Sequence, residues 1–122
     1  MSDDRYSDFI AKVAQWEGVW ALYHNGWLLH TTDDGQKFCP LFASREDAQS
    51  FGASIQTNHV ATAITLVEMM EDLIPQWRDQ DILPGITPTP ALGPVVVDPD
   101  RFGADLLSAL KAVMTARFGK KS

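Results

Sequence analysis

Residues 19–41 read VWALYHNGWLLHTTDDGQKFCPL, and this stretch decides the fold. Three short runs rich in apolar and aromatic residues are separated by two turn signals, Asn25-Gly26 and Asp34-Gly35. Such dipeptides suit two-residue type I′ turns, because Gly adopts positive φ freely and Asn or Asp adopts it at small cost. The pattern therefore predicts a three-stranded antiparallel meander.

The two turns also predict which residues face each other in the meander. With two-residue loops, Tyr23 lies opposite Leu28 and His30 lies opposite Cys39. One face is predicted to join the core, and it carries Trp20, Leu22, Trp27, Leu29, Phe38 and Pro40. The other face mixes apolar and polar groups, so it needs a cover from a helix, a partner or a second copy. That face carries Val19, Ala21, Tyr23, Leu28, His30, Lys37, Cys39 and Leu41.

The composition is typical of a globular protein. The chain has 122 residues, of which 45% are hydrophobic and 21% charged, and this predicts a single domain over residues 1–122. A net charge of -6 disfavours nucleic acid as a partner, because phosphate binding needs clustered Lys and Arg. The lone Cys39, together with an acidic N-terminus and apolar stretches too short for a membrane span, predicts a cytoplasmic location.

Hydrophobic periodicity and capping signals predict the elements after and before the meander. We expect helices over residues 7–16 and 44–54 and a strand over residues 60–66. A further helix begins at Thr65, and Pro75 inside it predicts a kink because proline has no amide hydrogen and its ring crowds the preceding turn.

Prolines govern the prediction for the last third of the chain. Their density after Leu83 excludes a long central strand and leaves a brief edge strand at Ile86-Thr87, because proline cannot donate to a ladder. Residues 95–97 predict a second strand, and Asp98-Pro99 begins a helix to about residue 118. The predicted fold is α+β, with helices on a mostly antiparallel sheet and the order α-β-β-β-α-β-α-β-β-α.

The strongest catalytic pattern is the pair of His30 and Cys39, since an imidazole can take the proton of a thiol and leave a nucleophilic thiolate. Tyr23 shares their predicted face. The pair lacks a third residue to orient the imidazole, and a buried free Cys usually acts as a small hydrophobe. We therefore predict no catalytic residue, and these three side chains define the alternative of an enzyme or small-ligand binder.

No motif predicts a metal, nucleotide or other cofactor. The three histidines are not spaced as metal ligands, and phosphate-binding and hydrolase motifs are absent. Tryptophan is enriched at interfaces, and Trp27 and Trp77 are the candidates for contact with a partner. Trp16 and Trp20 lie on predicted core faces, and core packing is the favoured role for each of the four.

Several segments together resemble a bacterial family catalogued as domain of unknown function 2750. The similarity covers about residues 9–110, and the chain departs from the family pattern at Phe42, Ala43 and Thr87. The matching segments are Val19 to Leu22, Gly26-Trp27, Pro40-Leu41-Phe42-Ala43, Ile64-Thr65-Leu66 and Ile86-Thr87-Pro88-Thr89-Pro90. The resemblance implies a compact α+β domain. It transfers no catalytic residue, cofactor or partner, because the family has no assigned activity.

Three functions are compatible with these features. The acidic composition, the aromatic meander and the lack of catalytic motifs favour a small cytoplasmic protein-interaction module without catalysis, which binds a partner protein or a second copy. One alternative is the enzyme or small-ligand binder that uses Cys39, His30 and Tyr23. The other is an immunity-like inhibitor of a partner protein.

Overall fold

The computed structural model describes residues 4–86 and 93–118. Its elements, in chain order, are α1 (Asp4–Trp16), β1 (Gly18–Tyr23), β2 (His30–Thr31), β3 (Lys37–Leu41), α2 (Arg45–Ser54), β4 (Val60–Thr65), α3 (Leu66–Glu68), a π-helical turn (Met69–Leu73), α4 (Ile74–Gln80), β5 (Ile82–Ile86), β6 (Val95–Val96) and α5 (Pro99–Phe118). The segments from α3 to α4 run without a break. With these counted as one helix, the predicted α+β class and element order are confirmed.

The strands form two sheets that meet at one point. One sheet contains β1 and β4, and the other has the order β2-β3-β5-β6, in which only the β3–β5 pair is parallel. Trp20 of β1 and Phe42, just after β3, exchange backbone hydrogen bonds of 2.9 and 2.8 Å. This exchange joins the second edge of β1 to the end of β3.

The meander predicted from the first turn is wrong, because β1 does not pair with β2. Instead β1 pairs along its whole length with β4, from Gly18 opposite Thr65 to Tyr23 opposite Val60. The chain does reverse after β1, but Tyr23 lies opposite Trp27 in an isolated bridge and not opposite Leu28. Since β1 is apolar on both faces, a central place in the fold buries it better than a hairpin edge does.

The second turn forms where it was predicted, with a loop one residue longer. Thr32 N–H donates to Gln36 O at 2.7 Å, and Gly35 N–H donates to Thr32 O at 2.9 Å, with Gly35 at a φ of +92°. This is a three-residue loop with glycine at the bulge position. Its register places His30 opposite Phe38, so the predicted pairing of His30 with Cys39 is wrong. A slip of one residue moves side chains to the other face.

Helices of the same chain cover the face that was predicted to need a cover. Val19, Ala21, Cys39 and Leu41 are completely buried in the larger of two hydrophobic clusters. The helical members of that cluster are Phe9, Ile10, Val13, Leu66, Met69, Leu73, Ile74, Trp77, Phe102 and Leu106. Half of this face, four of its eight residues, is therefore core that helices of the same chain cover, while Tyr23 and Lys37 on the same face stay exposed.

The opposite face of β1 belongs to a smaller cluster. Leu22, Phe42 and Ala48 are buried there, with Trp20 and Phe51 packed against them. Two further residues predicted to lie in the core are exposed. Leu29 is 40% exposed, and Trp16 is 43% exposed and stacks on Trp20 with ring centroids 5.9 Å apart.

The predicted helix starts are confirmed by their hydrogen bonds. Ser44 Oγ and Thr65 Oγ1 each accept from the amide three residues later, at 3.1 and 3.0 Å. The Asp98 carboxylate accepts from the amides two and three residues later, at 3.0 and 3.2 Å. Each side chain satisfies amides that the first helical turn leaves unpaired. In the described residues, no helix has the length and apolar character needed to cross a membrane.

A π-helical turn directly precedes Pro75, where the sequence predicted a kink. Ile74 N–H donates to Met69 O, five residues earlier, directly before the proline. Proline cannot donate to the helical ladder, and its ring crowds the carbonyl four residues earlier. The wider π-turn accommodates both effects, and the helix continues through α4.

The prediction that proline confines this region to a brief edge strand is wrong for β5, which lies between β3 and β6 and contains Pro84. Val97 N–H donates to Pro84 O at 3.1 Å, so the backbone of Pro84 faces the β6 side. Because the nitrogen of a strand residue points to the same side as its carbonyl, the missing amide hydrogen of Pro84 costs no ladder bond to β3. Thr87, Pro88 and Pro90, also used in the prediction, lie outside the described residues.

A glycine at residue 85 is required by the close approach of a buried ring. A Cβ added to Gly85 would lie 2.2 Å from Cδ2 of Phe38, whose side chain is 4% exposed. We expect Gly85→Ala to lower the free energy of unfolding by about 1–3 kcal/mol, because overpacking displaces the ring. Urea denaturation followed by circular dichroism measures this change.

Gly103→Ala is the matched control. Gly103 lies in α5, and a Cβ there would lie 3.4 Å from Cδ1 of Ile74 in α4, which is an ordinary contact. Helix propensity favours alanine by about 0.5–1 kcal/mol, so the control should unfold at the same or a higher urea concentration. Wild-type stability in the Gly85→Ala variant would contradict the packing requirement.

Candidate functional site

An open groove of about 490 Å³ lies where the turn after β1, the strand β4 and the helical stretch from α3 to α4 meet. Its volume falls within the range of pockets that hold small molecules or side chains. The lining residues are Tyr23, Trp27, Thr62, Ala63, Glu68, Asp72, Leu73 and Gln76.

Two aromatic rings form one side of the groove. Tyr23 ends β1, and the turn through Asn25 and Gly26, both at positive φ, returns the chain so that Trp27 lies opposite it. The two rings pack edge to face, with centroids 4.8 Å apart and planes at 71°. Tyr23 is 43% exposed, and Trp27 is half-buried against the larger cluster. The edge-to-face contact holds both rings in place at the surface.

Two carboxylates form the other side. Glu68, Asp72 and Gln76 are exposed and follow one another at intervals of four residues, while Leu73 beside them is buried. Within residues 4–86 and 93–118, neither carboxylate takes part in an ion pair. The groove lining contains no basic residue. Aromatic faces next to unpaired carboxylates favour a cation, which interacts with the ring quadrupole and with the negative charge.

The sequence singled out both aromatic residues of this groove but predicted them on opposite faces of the meander, and it missed the acidic half. Trp27 was predicted as a partner contact, and Tyr23 was one of the candidates of the alternative. Neither Glu68 nor Asp72 was predicted as a site residue. The intervals of four from Glu68 to Asp72 and Gln76 were a signal for one polar stripe, but spacing within a helix does not tell which strand lies beside it.

The structure does not bring Tyr23, His30 and Cys39 together. Tyr23 lies in the groove, whereas the His30 ring packs against Phe38 and Phe51, with centroids 5.9 and 5.7 Å away. Cys39 is completely buried in the larger cluster, and this burial raises the pKa of its thiol to about 12. A nucleophilic cysteine needs the opposite shift, toward the thiolate.

Trp77, the second predicted contact residue, lies in the core. Its side chain is 3% exposed and belongs to the larger cluster. Trp27 is therefore the predicted tryptophan that reaches a groove. In the part of the chain that the structure describes, no three His, Cys, Asp or Glu side chains are grouped so that they could hold a metal ion.

A second groove, between α1 and α5, has polar groups that satisfy one another. The Tyr6 hydroxyl donates to the Asp105 carboxylate, and the Arg101 guanidinium lies 5.5 Å from the Tyr6 ring centroid. Arg101 Nε also lies 3.5 Å from the same carboxylate. Burial, together with the hydrogen bond and charge of Asp105, raises the pKa of Tyr6. The groove beside Trp27, whose carboxylates have no such partner, is the better candidate site.

The raised pKa of Cys39 predicts a loss of stability at alkaline pH. An unfolded thiol ionises near pH ~8.5, whereas the folded protein keeps the proton up to about pH 12. The protonated, buried thiol of Cys39 therefore makes its full contribution to the free energy of unfolding below about pH 8.5. Above it, the free energy of unfolding falls by up to about 1.4 kcal/mol per pH unit, because only the unfolded chain has released the proton.

Urea denaturation between about pH 8 and 10 measures this slope. The Cys39→Ala variant should lose stability less steeply than the wild type over this range. Tyr6→Phe is the control between about pH 8 and 9, because an unfolded tyrosine ionises near pH ~10 and stays almost fully protonated in this interval, so its removal should leave the slope there unchanged. Equal slopes for wild type and Cys39→Ala would contradict the assignment.

Comparison with known proteins identifies a family but no relative of known role. The sequence model of the family described as "Protein of unknown function (DUF2750)" matches residues 6–106, which include every residue of the groove beside Trp27. Neither the curated proteins nor the solved structures contain a match. The match covers most of the 122 residues and confirms the resemblance seen in the sequence, so the chain belongs to the DUF2750 family of proteins of unknown function.

Proposed function

We propose that the chain is a protein-interaction module without catalysis, and that its groove binds a basic side chain of a partner protein. The observation that carries this proposal is the placement of Tyr23 and Trp27 beside Glu68 and Asp72 in one open groove. Exposed aromatic residues supply binding energy at many interfaces, and the two carboxylates select the charge of the occupant.

The chemistry of Lys and Arg matches both sides of the groove. Each has a long apolar stem, which packs on Trp27 and Leu73, and a cationic head, which reaches the carboxylates. Arg adds a planar guanidinium that stacks on an aromatic face. The net charge of -6 also attracts basic partners over a distance and disfavours a second acidic copy as the occupant.

The alternatives receive less support. The enzyme or small-ligand binder built on Cys39, His30 and Tyr23 requires these groups to share a site, and they lie in three different environments. An immunity-like inhibitor is a narrower form of the protein-interaction proposal, and a basic surface on its target fits the same groove. The lone, buried Cys39 agrees with the proposed cytoplasmic location.

Binding of acetyl-arginine-amide tests the proposal. We expect a saturable shift of the Trp27 indole N–H in ¹H–¹⁵N spectra, while acetyl-citrulline-amide, which has nearly the same shape without the charge, gives little shift. The affinity should fall by roughly three- to tenfold in a Glu68→Gln/Asp72→Asn variant, because two partly exposed ion pairs are lost. It should also weaken with added salt.

Glu71→Gln provides the matched control. Glu71 is exposed and lies next to Asp72 in sequence, but it does not line the groove. Compared with a Glu68→Gln single variant, it removes the same charge, and it should bind acetyl-arginine-amide as the wild type does, whereas Glu68→Gln should bind it more weakly. Equal binding of the arginine and citrulline compounds, or equal losses in the groove and control variants, would show that the carboxylates do not select a cation.

A further inference from the structure

The outer edge of β4 is unpaired in the part of the chain that the structure describes. The β1–β4 sheet has two strands, and the second edge of β1 is engaged by Phe42. On β4, the six residues from Val60 to Thr65 pair with β1 on one side only. A strand edge of this kind presents backbone donors and acceptors to another chain.

The hydrogen bonds of β1 reveal which β4 groups point outward. Trp20 gives its N–H and C=O to Phe42, so it makes no ladder bonds with Ala63, the residue opposite it. Hydrogen-bonded and non-hydrogen-bonded pairs alternate along an antiparallel ladder. The N–H and C=O groups of Ala61 and Ala63 therefore point away from β1.

The sequence of β4 lacks the features that protect an edge strand. Residues 60–65 read VATAIT, without a charge or a proline, and their register with β1 is continuous, without a bulge. Natural proteins commonly use charged side chains, proline or bulges to prevent pairing at such an edge. The outward-pointing positions 61 and 63 are alanines, whose small side chains leave the backbone accessible.

The same edge borders the groove beside Trp27. Thr62 and Ala63 are lining residues, and Thr62 lies on the same sheet face as Tyr23. A residue placed opposite Thr62 on an added strand directs its side chain to that face. Its two neighbours, opposite Ala61 and Ala63, form the hydrogen-bonded pairs.

We infer that the occupant of the groove is an extended basic segment of another protein, which adds to β4 as an antiparallel strand with a Lys or Arg opposite Thr62. This inference rests on the proposed function and specifies how the partner binds. Charge favours a basic segment over a second copy of this chain. Pairing between the β4 strands of two copies would bring the groove carboxylates of both copies together across a two-fold axis, where like charges repel.

The peptide acetyl-Thr-Thr-Val-Arg-Val-Thr-Thr-amide tests the inference on the full chain. We expect it to bind at least tenfold more tightly than acetyl-arginine-amide and to shift the backbone amide signals of Ala61 and Ala63. N-methylation of the two valines beside the arginine should weaken binding by roughly fivefold or more, because it removes donors that face β4. N-methylation of the arginine itself should change the affinity less than twofold, because that amide faces away.

Ala63→Pro supplies the test on the protein side. It removes an outward amide hydrogen without removing a bond to β1, and should weaken peptide binding about fivefold or more. The ¹H–¹⁵N spectrum of the Ala63→Pro variant shows whether it keeps the wild-type fold. If it does not fold, the N-methylated peptides still test the inference on the wild-type protein.

The outcomes separate the two proposals. If acetyl-arginine-amide binds and the peptide binds no more tightly, the proposal that the groove binds a basic side chain is supported, and the inference that the partner adds a strand to β4 is wrong. If neither binds, both are wrong. An equal effect of methylation at every position also overturns the added strand. A wild-type dimer that Ala63→Pro dissociates, measured by sedimentation, would assign the edge to a second copy and overturn the basic partner.

Discussion

The antiparallel ladder between β1 and β4 is the interaction on which the rest of the structure depends. β1 supplies Val19 and Ala21 to the larger hydrophobic cluster and Leu22 to the smaller one, so it is buried on both faces. A strand in this position has to satisfy its backbone on both edges as well. β4 supplies one edge, and Phe42 with the turn after β1 supplies the other. The unpaired edge consequently lies on β4, where the groove is.

The position of the groove follows directly from this ladder. β4 passes into α3 without a loop, through the Thr65 cap, so Glu68 comes only three residues after the strand. The π-turn before Pro75 lets the helix continue without the missing amide hydrogen. Leu73 and Trp77 then lie in the core, while Asp72 faces the groove. The proline and the ladder thus act together to place two carboxylates beside the aromatic pair.

Features that depend on near neighbours in the chain were predictable from the sequence. The helix starts at Ser44, Thr65 and Asp98, the turn at Gly35 and the irregularity at Pro75 each involve groups within five residues of one another. The exact loop length was not predictable from the Asp-Gly signal alone. Thr32 Oγ1 accepts from the Gln36 amide at 3.0 Å, and this bond accompanies the three-residue loop. The extra residue placed His30 opposite Phe38 and so removed the predicted pair of His30 and Cys39.

The features of the candidate site also divide into those that near neighbours in the chain govern and those that depend on the whole fold. The sequence by itself determined the order of the elements, their caps and a chain reversal at Asn25-Gly26, because short-range hydrogen bonds and periodicity govern all of these. Only the tertiary structure decided that β1 pairs with β4, that the Tyr23 and Trp27 rings pack on each other, and that Glu68 and Asp72 line the groove with them. The partner of a strand depends on which arrangement buries both of its faces, and that is a property of the whole chain.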